Sequence, residues 1–299
     1  MNRVLVAATR KSQLALAQSR RFLADLSRAT GVSTEELHVT TTGDRIQDRP
    51  LSEIGGKGLF IKEIEEALLD GRAHLAVHSL KDVPAELAPG LVIACIPERE
   101  DPRDVFVSGS GVSFDALPRG ARVGTSSLRR MTMLRAARPD LDYVPIRGNV
   151  DTRLRRVAEG AVDAIVLAHA GLRRLGLEAR VTEVLDPTKC LPAIGQGALA
   201  IECREDDAET RALLGRLTHD DTARAVAAER GVMKAVDGSC QVPVAAYGIR
   251  EGSSLWLRAM LAEPDGTRAR FREVRVPWPA DDRAAAALGE ALGEALRPA

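Results

Sequence analysis

RVGTSSLRRMTMLRAARPDLDYVPIRGNVDTRLRRVAEGAVDAIVLAHAGLRR (Arg122–Arg174) is the stretch that decides the fold. It holds three short apolar runs, Arg122–Gly124, Tyr143–Ile146 and Ala164–Ala168. Helix-length segments, Thr125–Ala137 and Val150–Glu159, lie between them. Strand, helix, strand, helix, strand predicts a parallel or mixed sheet with helices on its faces. Each strand is followed by basic residues: Arg129 and Arg130, then Arg147 and Arg153, then Arg173 and Arg174. In open α/β sheets ligands bind beyond the carboxyl ends of strands, so these positions carry the functional question.

The same alternation occupies the first hundred residues. Val4–Ala8, Leu37–Thr41, Leu75–Val77 and Leu91–Ile96 read as strands. Ser12 is placed to cap a helix with Ala15, Ser19, Phe22 and Leu26 on one face. A second amphipathic helix turns Phe60, Ile64, Ala67 and Leu68 inward. Val105–Val107 opens the second unit, and Ala193–Glu202 reads as a strand returning to the first. After about Leu217 the pattern changes to an Ala-rich helix, Thr222–Val236, and three alternating strands, Val242–Ile249, Leu255–Leu261 and Arg268–Val276. A last helix covers Asp281–Leu296. The expected domains are residues 1–97 plus 196–217, residues 98–195, and a small α+β domain with an antiparallel sheet at 218–299.

Composition narrows the function. The 299 residues carry 42 basic and 42 acidic side chains, which argues against a general nucleic-acid or membrane binder. No apolar run approaches the roughly 20 residues that span a bilayer. The N-terminal apolar segment is too short for a secretory signal, which points to the cytoplasm. Cys95, Cys190, Cys203 and Cys240 form no CxxC pair, so their spacing signals neither a metal site nor a disulfide framework. Ten Arg and three acids lie between Arg119 and Arg156, with Tyr143 as the one aromatic. Single-strand binders combine basic grooves with aromatic platforms, and here the platforms are missing. Guanidinium without aromatics suits the carboxylates or phosphates of a small molecule, while a solvated basic face is the plain alternative.

Four segments carry chemistry. HSLKDVP (His78–Pro84) follows a buried-looking strand and sets His78, Ser79, Lys81 and Asp82 at its carboxyl end. An Asp beside a Lys there suits acid–base work or stabilisation of a developing cation; a turn Asp in a surface ion pair is the alternative. GTSSLRR (Gly124–Arg130) starts a helix with hydroxyl residues and free backbone N–H groups, a ready anion site. RGNVDTRL (Arg147–Leu154) repeats that arrangement with Asn149 as the cap. DGSCQVP (Asp237–Pro243) puts Cys240 on a Gly-flanked loop, where a thiol is either an attachment point or inert. GGKGLF (Gly55–Phe60) is not a phosphate-binding GxxxxGK[ST] loop and reads as a flap.

Taken in order, TRKSQLALAQ, TTGD, GGKGLF, HSLKDVP, EREDPRD, GTSSLRR, RGNVDTRL, GLRRLG, LPAIGQGALAIECR and GSCQVP resemble the hydroxymethylbilane synthase (porphobilinogen deaminase) family from Ala8 to about Val244. The resemblance implies two similar doubly wound α/β lobes, like those of periplasmic binding proteins, facing a cleft. It implies stepwise deaminating condensation of four porphobilinogen molecules, head to tail, into linear hydroxymethylbilane, which hydrolysis releases. The primer is a covalent dipyrromethane cofactor, and the matching thioether position is Cys240. The catalytic aspartate falls on Asp82, where a carboxylate would offset the azafulvenium-like charge left when ammonia departs. Cofactor binding falls on Ser79, Lys81, Thr125, Ser126, Ser127, Arg129, Arg130, Arg147 and Gly148. Substrate binding falls on Arg10, Ser12, Lys57, Phe60, Arg153, Arg174 and Gln196. The implied partners are porphobilinogen and its linear oligomers, with no nucleic acid, membrane or metal, in a cytoplasmic monomer.

Two other readings compete. A non-catalytic two-lobed anion receptor suits the Arg clusters but leaves Cys240 without a role. An RNA binder using residues 119–156 is opposed by the neutral charge and missing aromatics.

Overall fold

A computed structural model describes residues 3–45, 61–236 and 242–298. Among these the chain forms two compact units, residues 3–45, 61–99 and 198–223, and residues 100–197, 224–236 and 242–298. The second unit holds both the Arg-rich α/β sheet and the C-terminal antiparallel sheet.

In the first unit, strands β1 (Val4–Arg10), β2 (Ser33–Val39), β3 (Leu75–Ser79) and β4 (Leu91–Cys95) share one sheet with Leu199–Arg204 in the order β2-β1-β3-(199–204)-β4. β2, β1 and β3 are parallel; the 199–204 strand runs antiparallel to both its neighbours. Helices cover both faces, so the inner strands read as apolar runs. Leu5, Ala7, Leu75 and Val77 pack on Phe22, Leu23 and Leu26 of the helix Gln13–Thr30. Ala8 and Ala76 face Ile64, Ala67 and Leu68 of the helix Lys62–Leu69. Ser12 does cap its helix, accepting from the Ala15 N–H at 3.3 Å. β2 begins four residues before the apolar stretch that announces it, because an edge strand with one neighbour tolerates the charged run Ser33–Glu36.

In the second unit, β5 (Asp104–Ser108), β6 (Arg122–Gly124), β7 (Asp142–Val144), β8 (Ala164–Ala168) and β9 (Glu183–Val184) form a sheet in the order β7-β6-β8-β5-β9. β7, β6 and β8 are parallel and β5 is antiparallel to β8. The two sheets thus share one plan: three parallel strands, then an antiparallel strand that enters directly from the other unit. β8 alternates Ala164 and Val166 toward Phe106, Phe114 and Leu134, and Ile165 and Leu167 toward Leu154 and Val157. Truncating such a side chain (Leu134→Ala, for example) costs about 2–5 kcal/mol.

Strands β10 (Leu199–Arg204, in the first sheet), β11 (Val244–Glu251), β12 (Ser254–Leu261) and β13 (Arg270–Pro277) complete the set. The last three form an antiparallel meander. Its apolar face, Ala246, Leu255, Leu257, Ala259 and Leu261, packs on Ala228 and Val232 of the helix Asp220–Ala235 and Ala285 and Leu292 of the helix Asp282–Glu294. No helix among the described residues is long and apolar enough to cross a membrane.

Candidate active site

In the first unit β1 and β3 pair in parallel, Ala8 opposite Ala76, so Arg10 and Ser79 leave the sheet at the same carboxyl edge. Arg10 is half-buried there. The Gln18 amide donates to the Ser79 hydroxyl at 2.9 Å and ties the first helix to that edge. A single 3₁₀ turn, Leu80–Asp82, follows. Leu80 and Val83 are buried on either side of it, and the Leu80 N–H donates to the Ala198 carbonyl at 3.0 Å. Lys81 and Asp82, between these anchors, are exposed. Among the described residues the Asp82 carboxylate has no hydrogen-bond or ion-pair partner of its own. His78 departs from expectation. It lies in the sheet interior with its Nε2 2.9 Å from a buried Glu202 oxygen, because strand alternation turns it away from the edge that Ser79 lines.

In the second unit three adjacent parallel strands end together, and each end carries expected site residues. Thr125, Ser126 and Ser127 follow β6 but precede the helix, which runs over Leu128–Ala137 rather than from Thr125. The Thr125 hydroxyl accepts from the Ser127 N–H at 3.2 Å. The Ser126 hydroxyl donates to the Ile146 carbonyl and accepts from its N–H, at 2.7 and 3.0 Å, stitching the two loops together. Ser127 caps the helix by accepting from the Arg130 N–H at 3.4 Å. Asn149 occupies the cap position of the helix Val150–Ala158, but its side chain makes no capping bond. Gly148 has φ +104° and a Cβ there would meet Thr152 at 2.7 Å, so this turn requires glycine. Arg153 donates from Nε to the Gly148 carbonyl at 2.9 Å. Arg174 ends the helix after β8 and donates to the Gly197 carbonyl at 2.7 Å.

A residue that the sequence reading missed organises this region. Asp104, the first residue of β5, is fully buried. One of its oxygens accepts from Arg129 Nη1 at 2.7 Å, the other from Arg130 Nε and Nη2 at 3.1 and 2.7 Å. Gln196 Nε2 and Cys190 Sγ also donate to it, at 2.9 and 3.1 Å. Burial alone would push the Asp104 carboxyl up, but the two guanidiniums outweigh it and hold it well below the usual carboxylate range. The usable signal was an Asp opening the apolar strand DVFVS, since a charge there must find partners. Cys95 and Cys203 are buried thiols pushed up to about 11 by burial, in keeping with a packing role.

Two guanidiniums on one carboxylate leave an excess positive charge. Arg153 registers it: burial first, then Arg130 and Arg147, push its guanidinium down to about 10. Arg174 is pushed to about 10 by burial. Both stay charged at neutral pH. Crowded, part-buried cations together with hydroxyls and loop N–H groups form a donor set suited to several carboxylates. A dipyrromethane carries four, so the residues present fit it. Lys57, Phe60 and Cys240 lie outside the described residues.

Fold and site together define the class: an α/β protein with guanidiniums gathered at its strand ends, followed by a small α+β domain. The family model described as "Porphobilinogen deaminase, dipyromethane cofactor binding domain" matches residues 5–212, and that of the porphobilinogen deaminase C-terminal domain matches residues 223–297. The chain belongs to the porphobilinogen deaminase family. It is an enzyme of that family, a transferase of tetrapyrrole biosynthesis with a dipyrromethane cofactor.

Curated relatives agree along the whole chain. The chain is 62% identical to the porphobilinogen deaminase of Sorangium cellulosum over 98% of each sequence. It is 50% identical to that of Geobacter sulfurreducens, over 98% of this chain and 92% of the other. It is 52% identical to that of Paraburkholderia phytofirmans, over 98% and 85%. Among solved structures it is similar to the periplasmic VFT2 domain of Bordetella pertussis BvgS, at a TM-score of 0.44 and 18% identity over 72% of this chain and 86% of that one, too slight a likeness to argue from. Membership of an enzyme family replaces the anion-receptor and RNA-binding readings.

Proposed function

We propose that Asp82 is the catalytic carboxylate for deaminating condensation of porphobilinogen, and that the guanidiniums at the strand ends of the second unit hold the carboxylates of the cofactor and the growing chain. One observation carries the reading. The Arg153 guanidinium is pushed down first by burial and then by Arg130 and Arg147, and an anionic ligand beside it would offset both.

Asp82 is exposed yet fixed, because Leu80 and Val83 on either side are buried. A carboxylate so placed accepts the pyrrole N–H of the incoming substrate. It offsets the positive charge left as the amine departs, and can protonate that amine when it carries a proton. Arg10 and Ser12 orient substrate carboxylates, while Ser79 and Lys81, at the same sheet edge, bind the cofactor. Thr125, Ser126, Ser127, Arg147 and the Gly148 loop bind the cofactor. Arg153 and Arg174 bind the lengthening chain. When bound, the dipyrromethane, linked through Cys240, would supply the pyrrole α-carbon to which the first unit is joined, each later unit joining the ring added before it. Lys57 and Phe60 belong to the substrate-binding set. The domain division at 97/98, 195/196 and 217/218, and a cytoplasmic monomer, complete the reading. Separate apolar cores in each sheet and in the C-terminal meander support the division.

The intact mass of the purified protein tests it. The expected result is an adduct of two pyrrole units that Cys240→Ser abolishes. Fully active protein with an unmodified mass would sink the reading.

A further inference from the structure

Arg129 and Arg130 have their principal bonds inside the protein. Arg129 Nη1 donates to Asp104, to the Leu191 carbonyl at 2.6 Å and to Cys190 Sγ at 3.5 Å. Arg130 donates to Asp104 through Nε and Nη2 and to the Val166 carbonyl through Nη1 at 2.9 Å. Their remaining N–H groups can serve a ligand only in the direction that Asp104 imposes. Each Asp104 oxygen takes one guanidinium and one neutral donor: Arg129 with Cys190 on one, Arg130 with Gln196 on the other.

We propose that Cys190 and Gln196 are positioning residues for the anion site: by donating to opposite oxygens of Asp104 they hold its carboxylate in the one orientation that aims Arg129 and Arg130. The inference rests on the functional reading above, and it changes the part expected of Gln196. Gln196 is almost wholly buried, with Nε2 donating to the Pro102 carbonyl at 2.6 Å as well as to Asp104. It thus acts on the ligand through Asp104 rather than by touching it. Guanidinium–carboxylate bonds are directional, and a further donor on each oxygen restricts the carboxylate more tightly still. A neutral donor on each oxygen singles out one arrangement.

Burial and the nearby Asp104 raise the Cys190 thiol far above neutral pH, so it keeps its proton and donates. Ser preserves that donor in a smaller volume; Ala removes it. Leu191, next in the chain, is also bonded, its N–H donating to Met133 Sδ at 3.1 Å, so the segment that carries the thiol is itself held.

The experiment compares Cys190→Ala, Cys190→Ser and Gln196→Met in the full-length protein. The readouts are steady-state kinetics with porphobilinogen, the fraction carrying the pyrrole adduct by intact mass, and the thermal midpoint. Cys190→Ala and Gln196→Met are expected to raise KM roughly three- to tenfold, the size of one ordinary hydrogen bond because the effect is passed on through Asp104, and to lower the loaded fraction, with kcat per loaded molecule changed less. Cys190→Ser is expected to restore KM and loading whatever its thermal midpoint. Cys190→Ala with the KM and loading of the parent protein overturns the proposal. Cys190→Ser as impaired as Cys190→Ala also overturns it, since volume rather than donation would then matter. Absence of the adduct from the parent protein strikes the functional reading instead, so the two failures are distinguishable.

Discussion

Arg130 donates twice, from Nε at 3.1 Å and from Nη2 at 2.7 Å, to a single oxygen of Asp104. Both side chains are almost entirely removed from water. A buried pair of this kind adds little against an apolar replacement, yet breaking it leaves a charge without a counterion. Asp104→Asn is therefore expected to destabilise the protein by about 3–5 kcal/mol, because it strands Arg129 as well as Arg130. Urea unfolding measures this. A loss below about 1 kcal/mol would mean that water or another group takes over the compensation.

Asp82 stands in contrast. Its exposed carboxylate takes no part in packing. Asp82→Asn is expected to leave the thermal midpoint within about a degree and to lower kcat by two orders of magnitude or more, on the order of what one well-placed charge supplies in catalysis. Turnover near the parent value removes Asp82 from the chemistry.

The Arg153 guanidinium is pushed down first by burial and then by repulsion from Arg130 and Arg147. Arg153→Met relieves that repulsion and removes a ligand contact. The expected result is unchanged or higher stability together with a KM for porphobilinogen raised roughly tenfold or more, the size of one charge-assisted hydrogen bond. Calorimetry and kinetics on the same preparation separate the two effects. A stability loss without a change in KM would mark Arg153 as structural.

Gly197 has φ +89°, and a Cβ there would collide with the Glu100 carbonyl oxygen. Backbone cannot move aside as a side-chain tip can, so Gly197→Ala combines a strained conformation with a clash. A loss of at least about 2 kcal/mol is expected. Gly111→Ala, at φ +76° with nothing near its Cβ, is the control for strain alone.

Acid stability follows from Asp101 and Asp207. Burial favours protonation of both, but Arg103 and His169 around Asp101, and Thr210 and Arg3 around Asp207, hold each down at about 2. A carboxylate depressed in the folded state contributes stability above its unfolded value near 3.8, and loses it as pH falls toward the folded value. The thermal midpoint is expected to be insensitive to these groups above pH 5 and to drop between about pH 4 and pH 2. Asp207→Asn should flatten part of that acid limb; a titration in which it does not would contradict the assignment.

The strand-helix alternation, the basic residue after each strand and the capping serine at position 12 were legible because each depends on neighbours a few residues away. β2 was placed late, since an edge strand relaxes the apolar rule. His78 was placed at the ligand edge because sequence adjacency to Ser79 does not say which way a side chain points. The Ser126 bridge to Ile146 joins residues 20 apart in the chain. No local rule predicts it.

The family and its chemistry were written in the order of motifs, and so were the charges gathered at the strand ends, because charge and hydroxyl placement are properties of the chain itself. Which of those charges are engaged internally was decided only in three dimensions. Asp104 meets Arg129 25 residues along the chain, and Gln196 92 residues along, once antiparallel pairing of β5 with β8 and the return crossover bring them together. Desolvation forces buried charges to find partners, and only packing determines which partners are within reach.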